Sequence, residues 1–281
     1  MKIPLAALAL FAAIPALAAP EPVVEPGAAR FWKPADGRTA WTSDGVRIEI
    51  APAPCDTPPQ TEGCRFDKVN NQAALVVTAP GIAPVHVLSR DQASYYHVAV
   101  VRFGRDAARP GVVIANDSGG SGGDLWIQLL LPEGEGYREI GLPDRVQGAL
   151  AGTLTDLSGD GMVDFLLSDG RFDSQFGCNA CTPRPPLVFT IRNGQVVDIS
   201  RDHAVAYLFE ADMAERKKAC GSRDIDRNGA CAAYAADAAI LGRFDAAWRF
   251  VAAHYEPHPQ LGRTPFLPQL QGFLRETGYI R

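Results

Sequence analysis

The sequence has 281 residues, of which 47% are hydrophobic, and its 27 Lys and Arg against 32 Asp and Glu give a net charge of −5. A mildly acidic chain without a basic block is a poor ligand for polyanions, so composition argues against nucleic acid and anionic membrane surfaces as partners. The length is sufficient for one large domain or two small domains with a substantial core.

Residues 1–19 have the features of an export signal. The segment MKIPLAALALFAAIPALAAPEP contains one Lys, an apolar run too short to span a bilayer, and small residues that fit a cleavage site after Ala18 or Ala19. We therefore expect a periplasmic or secreted protein with no membrane insertion after signal cleavage. An uncleaved N-terminal anchor is the alternative interpretation.

Residues 20–38 are Pro-rich and aperiodic, which predicts an extended lead-in. Over residues 39–200, short β-branched or apolar runs alternate with Gly, Pro, Asn and Asp, which predicts a β-rich domain. The runs are GVRIEI, AALVVTA, PVHVLS, YYHVAVVRF, GVVIAN, LWIQLLL, YREIGL, VDFLLS, LVFTIRN and QVVDIS. Weak similarity among three segments of about 50 residues favours a partial propeller-like or sandwich array of these strands.

Residues 201–281 change to helical periodicity. Four segments have apolar residues at helical spacing, namely HAVAYLFEADMAERKKA, ACAAYAADAAILG, RFDAAWRFVAAHYE and PFLPQLQGFLRETGY. Strands followed by helices predict an α+β protein with a mostly antiparallel β body and an α-helical C-terminal region. The two parts could be separate domains, but we favour a single unit because the helices need a neighbour to bury their apolar faces.

Six cysteines in an exported chain predict a disulfide framework. Because the entropy of loop closure favours local pairs, the expected bonds are Cys55–Cys64, Cys178–Cys181 and Cys220–Cys231. The CNAC segment is followed by three prolines, which disfavour the helix that a thioredoxin-like redox pair requires, so we interpret it as a structural disulfide.

The segment TDLSGDGMVDFLLSDG, residues 155–170, places oxygen-bearing side chains at alternate positions around a Gly: Asp156, Ser158, Asp160 and Asp164. A hard cation such as Ca²⁺ takes six to eight oxygen ligands, which a tight loop supplies from alternate positions. The stretch DLSGDGMVD resembles the calcium loop of FG-GAP and VCBS-type repeats, which occur in β-propeller blades and in many exported bacterial proteins.

The resemblance implies a calcium site in which Asp156, Ser158, Asp160 and Asp164 supply side chains and Met162 supplies its backbone carbonyl. Ser158 stands where the family commonly has Asp or Asn, so we expect weak affinity, in the range of about 10⁻⁴ to 10⁻³ M. The same residues are also typical of an ordinary Asp/Gly turn between two strands. In both interpretations the loop has an architectural role.

The Gly-rich stretch NDSGGSGGD raises a catalytic alternative. Ser118 or Ser121 would be the nucleophile, or acids among Asp117, Asp124 and Asp169 would form an acid/base pair. A nucleophile elbow needs a helix directly after its turn, whereas LWIQLLLP, which follows here, has the pattern of a strand. A Gly-rich β-turn is the better account.

Taken together, these features favour a non-catalytic binding or structural module of the cell envelope, stabilised by Ca²⁺ and directed at an unknown protein or glycan. The alternative is an exported hydrolase acting on envelope polymers with a serine in the Gly-rich loop. An inhibitor or chaperone-like role towards another envelope protein is a third hypothesis.

Overall fold

The computed structural model describes residues 21–53, 71–120, 123–144, 146–148, 154–179, 182–223, 227–260 and 262–281. The predicted export signal, residues 1–19, lies outside these ranges. So do four further positions that carried predictions: Cys55, Cys64, Ser121 and Cys181.

In the described part of the chain, fourteen β-strands precede four α-helices. The strands are β1 (Arg30–Trp32), β2 (Thr39–Ser43), β3 (Val46–Pro52), β4 (Ala73–Thr78), β5 (Val85–Leu88), β6 (Tyr95–Val101), β7 (Gly111–Asp117), β8 (Asp124–Glu133), β9 (Gly136–Gly141), β10 (Val146–Gln147), β11 (Leu154–Thr155), β12 (Asp164–Asp169), β13 (Pro186–Arg192) and β14 (Gln195–Asp198). The helices are α1 (Ala206–Cys220), α2 (Arg227–Ile240), α3 (Phe244–His254) and α4 (Phe266–Glu276). Each predicted run coincides with a strand and each predicted helix is present, so the α+β class is confirmed.

The strands form two antiparallel sheets. The four-stranded sheet has the order β2-β3-β4-β5, and the ten-stranded sheet has the order β1-β6-β7-β8-β10-β12-β13-β14, with β9 pairing with β8 and β11 with β12. Because β8 is ten residues long, its first part pairs with β10 and its second part with β9. The runs in the sequence did not indicate β1, β2, β10 and β11. Of these, β1 lies within the predicted lead-in and pairs with β6.

The two sheets pack face to face on an apolar core. Strands β2 to β5 alternate buried and partly exposed residues, as expected for a sheet with one covered face. Trp41, Ile48 and Leu75 of the small sheet meet Tyr96 and Ile114 of the large one in this core. The β body is therefore a sandwich where β2 to β5 pack on the large sheet.

The other face of the large sheet buries a second core, which includes Ile127, Leu129, Phe165 and Phe189. These residues come from β8, β12 and β13, which lie close together in the strand order of the large sheet. Strand β7 lies between the two cores, and all of its residues but the last are buried.

The helical part packs on the β body through a segment that the sequence assigned to the β domain. Phe172 and Phe176 follow β12, yet they belong to the core formed by α2, α3 and α4. The ring of Phe273 on α4 packs edge-on against both, with centroid distances of 4.9 and 5.3 Å. In a separate apolar cluster, Phe209 of α1 packs against Val188 of β13. The helices thus bury their apolar faces partly on the β body.

A disulfide joins Cys220 at the end of α1 to Cys231 in α2, which confirms the predicted pair. Cys178 is also disulfide-bonded, and its predicted partner lies outside the described residues. None of the described helices combines the length and the apolarity that a membrane span requires.

Candidate functional site

The predicted cation loop connects β11 to β12 and is organised by the carboxylate of Asp164. Asp164 is fully buried, and its Oδ2 accepts hydrogen bonds from the backbone N–H groups of Leu157 (2.8 Å) and Ser158 (2.7 Å). Its second oxygen, Oδ1, is buried without a hydrogen-bond partner. The side chain therefore fixes the start of the loop and leaves one buried oxygen without a hydrogen bond.

Asp156 closes the middle of the loop. Its two carboxylate oxygens accept the N–H groups of Gly159 (2.7 Å) and Gly161 (2.9 Å). Gly161 adopts φ +86°, a left-handed conformation that favours glycine. The guanidinium of Arg105 lies 3.8 Å from Asp156 Oδ2. Gly161 therefore provides the backbone conformation that lets the loop turn tightly.

Asp160 lies at the tip of the loop, with one oxygen on the backbone N–H of Met162 (2.9 Å) and the other 3.2 Å from Arg192. Burial raises the pKa of Asp160, but the Met162 N–H and the Arg192 charge outweigh it, so the net pKa is lowered. The Ser158 hydroxyl is buried and favours the ionised form of Asp160, although it forms no hydrogen bond of standard geometry.

Met162 anchors the loop to a neighbouring turn. It forms an isolated antiparallel bridge with Gly104, in which Arg105 N–H donates to the Gly161 carbonyl (2.7 Å). A Cβ at Gly104 would lie 2.9 Å from Met162 Sδ, so a side chain there would displace the methionine. The five predicted ligand residues therefore lie in one anchored loop, in which the Asp156 and Asp160 carboxylates accept backbone N–H groups.

Whether this loop can bind a cation depends on which of its oxygen atoms are free of hydrogen bonds. Within the described ranges, no group of three or more His, Cys, Asp or Glu side chains is gathered so that it could hold a metal ion. Asp164 Oδ1 and Ser158 Oγ are both buried and unpartnered, and buried polar atoms normally have partners. Oxygen donors of this type suit a hard cation, supplemented by backbone carbonyls.

A cleft of about 630 Å³ opens beside the loop, and Asp160, Gly161 and Met162 line one wall. Apolar side chains contribute to its lining, namely Phe103, Leu131, Pro132 and Ile191. Charged side chains also contribute to the lining, namely Arg105, Asp106, Glu133 and Arg138. These residues come from strands and turns that are distant in the sequence, which left no local signal for the cleft.

Most of the charges in the cleft already have partners. Arg138 pairs with Glu133 (2.9 Å) and donates to the Gly194 carbonyl (2.6 Å), while Asp160 pairs with Arg192. Arg105, in contrast, is held only by a long ion pair, and its side chain is 75% exposed. The cleft therefore combines apolar and charged side chains, and Arg105 is a weakly held cation among them.

The residues of the catalytic alternative have structural roles where the structure describes them. The Ser118 hydroxyl accepts the N–H of Gly120 (3.3 Å), and Asp117 Oδ1 accepts the N–H of Gly119 (2.8 Å). Asp169 is fully buried and paired with Arg171 (2.6 Å). The side chain of Asp124, like Ser121, lies outside the described part. The described residues thus use their polar atoms to shape the turns.

Sequence patterns also missed a buried acid between α1 and α2. Asp237 on α2 is fully buried, and neither of its carboxylate oxygens receives a hydrogen bond from a donor. Burial, followed by the nearby Asp212 carboxylate, raises the pKa of Asp237 well above its usual range, although Arg216 opposes this. In its neutral form Asp237 can donate its own proton to Asp212, which is held by Arg216 (2.8 Å).

These features define a class: an α+β protein in which an antiparallel β body, bearing a polar loop and a cleft, carries a disulfide-tied helical region. Residues 209–278, which lie in that helical region, match the model of the sll0997 C-terminal domain. A curated relative, the "Probable thylakoid lumen protein sll0997" of Synechocystis sp. (strain ATCC 27184 / PCC 6803 / Kazusa), is 27% identical over 146 residues. The match spans 44% of this chain and 43% of the relative, less than half of either. No solved structure matches the chain at a significant level.

The comparisons correct the resemblance to FG-GAP and VCBS-type repeats, which is wrong. The matching family is the sll0997 C-terminal domain, and the relative carries the name of a lumen protein. The physical reason is the shortness of the motif. Alternating Asp and Gly residues serve any tight loop whose N–H groups need acceptors, as Asp156 and Asp164 do here.

Proposed function

We propose that this chain is an exported, non-catalytic binding protein of the cell envelope. The name of the relative supports export, since a thylakoid lumen protein has also left the compartment of its synthesis. The Cys220–Cys231 disulfide supports an oxidising compartment, because such bonds persist mainly outside the cytosol.

The cleft beside the loop is the observation that carries this proposal. Ligand sites are typically concave and apolar, with a few polar groups that fix orientation. The walls here are held by strands and by the Met162 bridge to Gly104, so the shape does not depend on ligand. A lining that combines apolar side chains with the charged Arg105 and Asp106 suits an amphipathic ligand, such as a peptide segment with an apolar side chain.

Nile red, a neutral apolar dye, is a suitable probe for the cleft. Ala107 lines the cleft and is partly exposed, so Ala107→Trp should fill the space without disturbing the core. We expect the folded protein to bind the dye with increased fluorescence, and Ala107→Trp to abolish that binding. Ala252→Trp, at an exposed position on α3, is the matched control and should bind as the parent does. Equal binding by Ala107→Trp, or no binding by the parent protein, would overturn the cleft as the ligand site.

Calcium in the 156–164 loop is the second part of the proposal. Asp164 Oδ1 and Ser158 Oγ would act as ligands, supported by the Asp156 and Asp160 carboxylates and the Met162 carbonyl. The ion would give the two orphaned oxygens a partner and stiffen one wall of the cleft. Arg192 competes for Asp160, which favours weak binding, in the range of about 10⁻⁴ to 10⁻³ M.

Ser158→Ala gives a sharp test of the calcium site. If Ca²⁺ binds, a concentration about fivefold above Kd should stabilise the parent protein by about 1 kcal/mol, a rise in Tm of about 2–4 °C. Ser158→Ala removes a ligand and should reduce that rise, which is measured for each protein against its own Tm in chelator. Identical melting of the parent in Ca²⁺ and in chelator would remove calcium from the proposal.

A further inference from the structure

An exposed aromatic cluster lies at the edge of the large sheet, and none of its residues lines the cleft. Phe31 on β1 is directly opposite His97 on β6, and Tyr95 is diagonal to it. The Phe31 ring centroid lies 5.4 Å from that of Tyr95 and 5.4 Å from that of His97. We call Phe31, Tyr95 and His97 the aromatic platform.

The exposure of the platform is unusual for this protein. Phe31 is 50% exposed and Tyr95 is 39% exposed, whereas Trp32 and Tyr96, their neighbours on the opposite face, are buried. Within the described residues, three aromatic side chains are classed as exposed large hydrophobic groups, and two of them are in the platform. Exposed aromatic rings that are clustered rather than scattered mark an interaction surface.

Polar groups lie next to the platform on one side. Asp117 at the end of β7 is paired in register with Tyr95, and burial lowers the pKa of His97 while the charge of Asp117 opposes that shift. The Ser94 hydroxyl donates to the Ser118 carbonyl (3.1 Å), which fixes the start of the Gly-rich turn beside the platform. The platform thus has apolar rings next to a carboxylate.

The Gly-rich turn is shaped to approach the platform closely. Gly119 adopts φ +68°, and a Cβ at this position would lie 2.9 Å from Tyr95 Cε2 and 2.9 Å from Ser94 Oγ. Both the backbone angle and the lack of space require glycine here. The glycines that suggested a nucleophile loop in the sequence therefore serve to place a turn against Tyr95.

We propose that the aromatic platform binds the sugar rings of a neutral polysaccharide. A sugar ring presents a face of C–H groups that stacks on aromatic rings, and its equatorial hydroxyls can donate to a carboxylate such as Asp117. The two rings of Phe31 and Tyr95 are inclined by only 33°, so one extended ligand can contact both. A stable protein interface buries about 800 Å² on each partner, more than three side chains provide, which favours a glycan over a folded protein.

Isothermal titration with cellohexaose and chitohexaose tests this proposal. We expect at least one of them to bind, and Phe31→Ala and Tyr95→Ala each to weaken binding about tenfold through loss of stacking. Phe31→Leu keeps apolar area but removes the ring, so it should lose affinity as Phe31→Ala does. Tyr207→Ala, which removes another exposed aromatic residue on α1, is the control and should leave affinity unchanged.

Three results would overturn the proposal: no binding of either oligosaccharide to the folded protein, full binding by Phe31→Leu, or an equal loss in Tyr207→Ala. Full binding by Phe31→Leu would indicate an apolar contact without stacking, as in a peptide partner beside β1. The platform residues do not line the cleft, so Ala107→Trp should retain oligosaccharide binding. A negative result for one of the two binding sites therefore does not overturn the proposal for the other.

Discussion

The Tyr279 hydroxyl donates a hydrogen bond of 2.9 Å to Oδ2 of Asp169, and this contact joins the C-terminal end of the chain to the end of β12. Both residues are buried, and the same carboxylate is paired with Arg171. Arg171 in turn donates to the Thr277 carbonyl (3.1 Å). The network therefore links the β body to the last turn of the helical part.

Removing the Tyr279 hydroxyl should show how much its hydrogen bond to Asp169 contributes to stability. Tyr279→Phe keeps the ring that packs on Phe172 but deletes a buried hydrogen bond to a charged group, which is worth about 1.5–3 kcal/mol. We expect the free energy of unfolding, measured with urea, to fall by about that amount. Tyr207→Phe is the control, since its exposed hydroxyl lies 3.4 Å from a carbonyl and should contribute less than about 0.5 kcal/mol. Equal losses in the two variants would contradict the link.

Asp237 should make stability depend on pH. Its pKa is raised in the folded state, so between the unfolded value of about 3.9 and the folded value the native protein holds a proton that the unfolded chain has released. Stability should therefore fall as pH rises through that window, by about 1.4 kcal/mol per pH unit from this group.

Comparison with Asp237→Asn isolates this contribution, because the amide does not titrate. As pH rises from about 4, the free energy of unfolding of the parent protein should fall steadily relative to that of this variant. Asp245→Asn, at an exposed position of α3, should give a difference that does not change in this way. A pH-independent difference for Asp237→Asn would show that Asp237 is ionised in the folded protein.

The Cys220–Cys231 disulfide should stabilise the α1–α2 pair. It closes a short loop, with a sequence separation of 11, so the Cys220→Ser/Cys231→Ser variant should lose about 2–4 kcal/mol. Thermal melting of the variant and the parent, each without reductant, checks this. A Tm equal to that of the parent would show that packing alone holds the two helices together.

Phe172 should be among the residues on which stability depends most. Its ring packs edge-on against Phe273 and Tyr279 and is fully buried, so Phe172→Ala should cost about 3–5 kcal/mol. Phe31→Ala provides the contrast, because half of that ring is exposed and little packing is lost. Urea titration of both variants should show a large loss in the first and a small one in the second. The reverse order would refute the assignment of Phe172 to the core and Phe31 to a binding surface.

The local pattern of residues was sufficient for the α+β class, for the position of most strands and helices, and for the Cys220–Cys231 pair. These properties depend on periodicity and on short separations, which adjacent residues encode directly. The same pattern located the loop from Asp156 to Asp164, but its nine residues could not distinguish one loop family from another.

Tertiary structure alone decided which distant residues meet. Phe31 lies beside His97 because β1 pairs with β6 in a particular register, and Met162 meets Gly104 because two turns pack across the large sheet. The pairing of strands depends on the packing energy of the whole sheet rather than on the sequence of either strand. For that reason the cleft, the aromatic platform and the contact of Tyr279 with Asp169 were visible only in the folded chain.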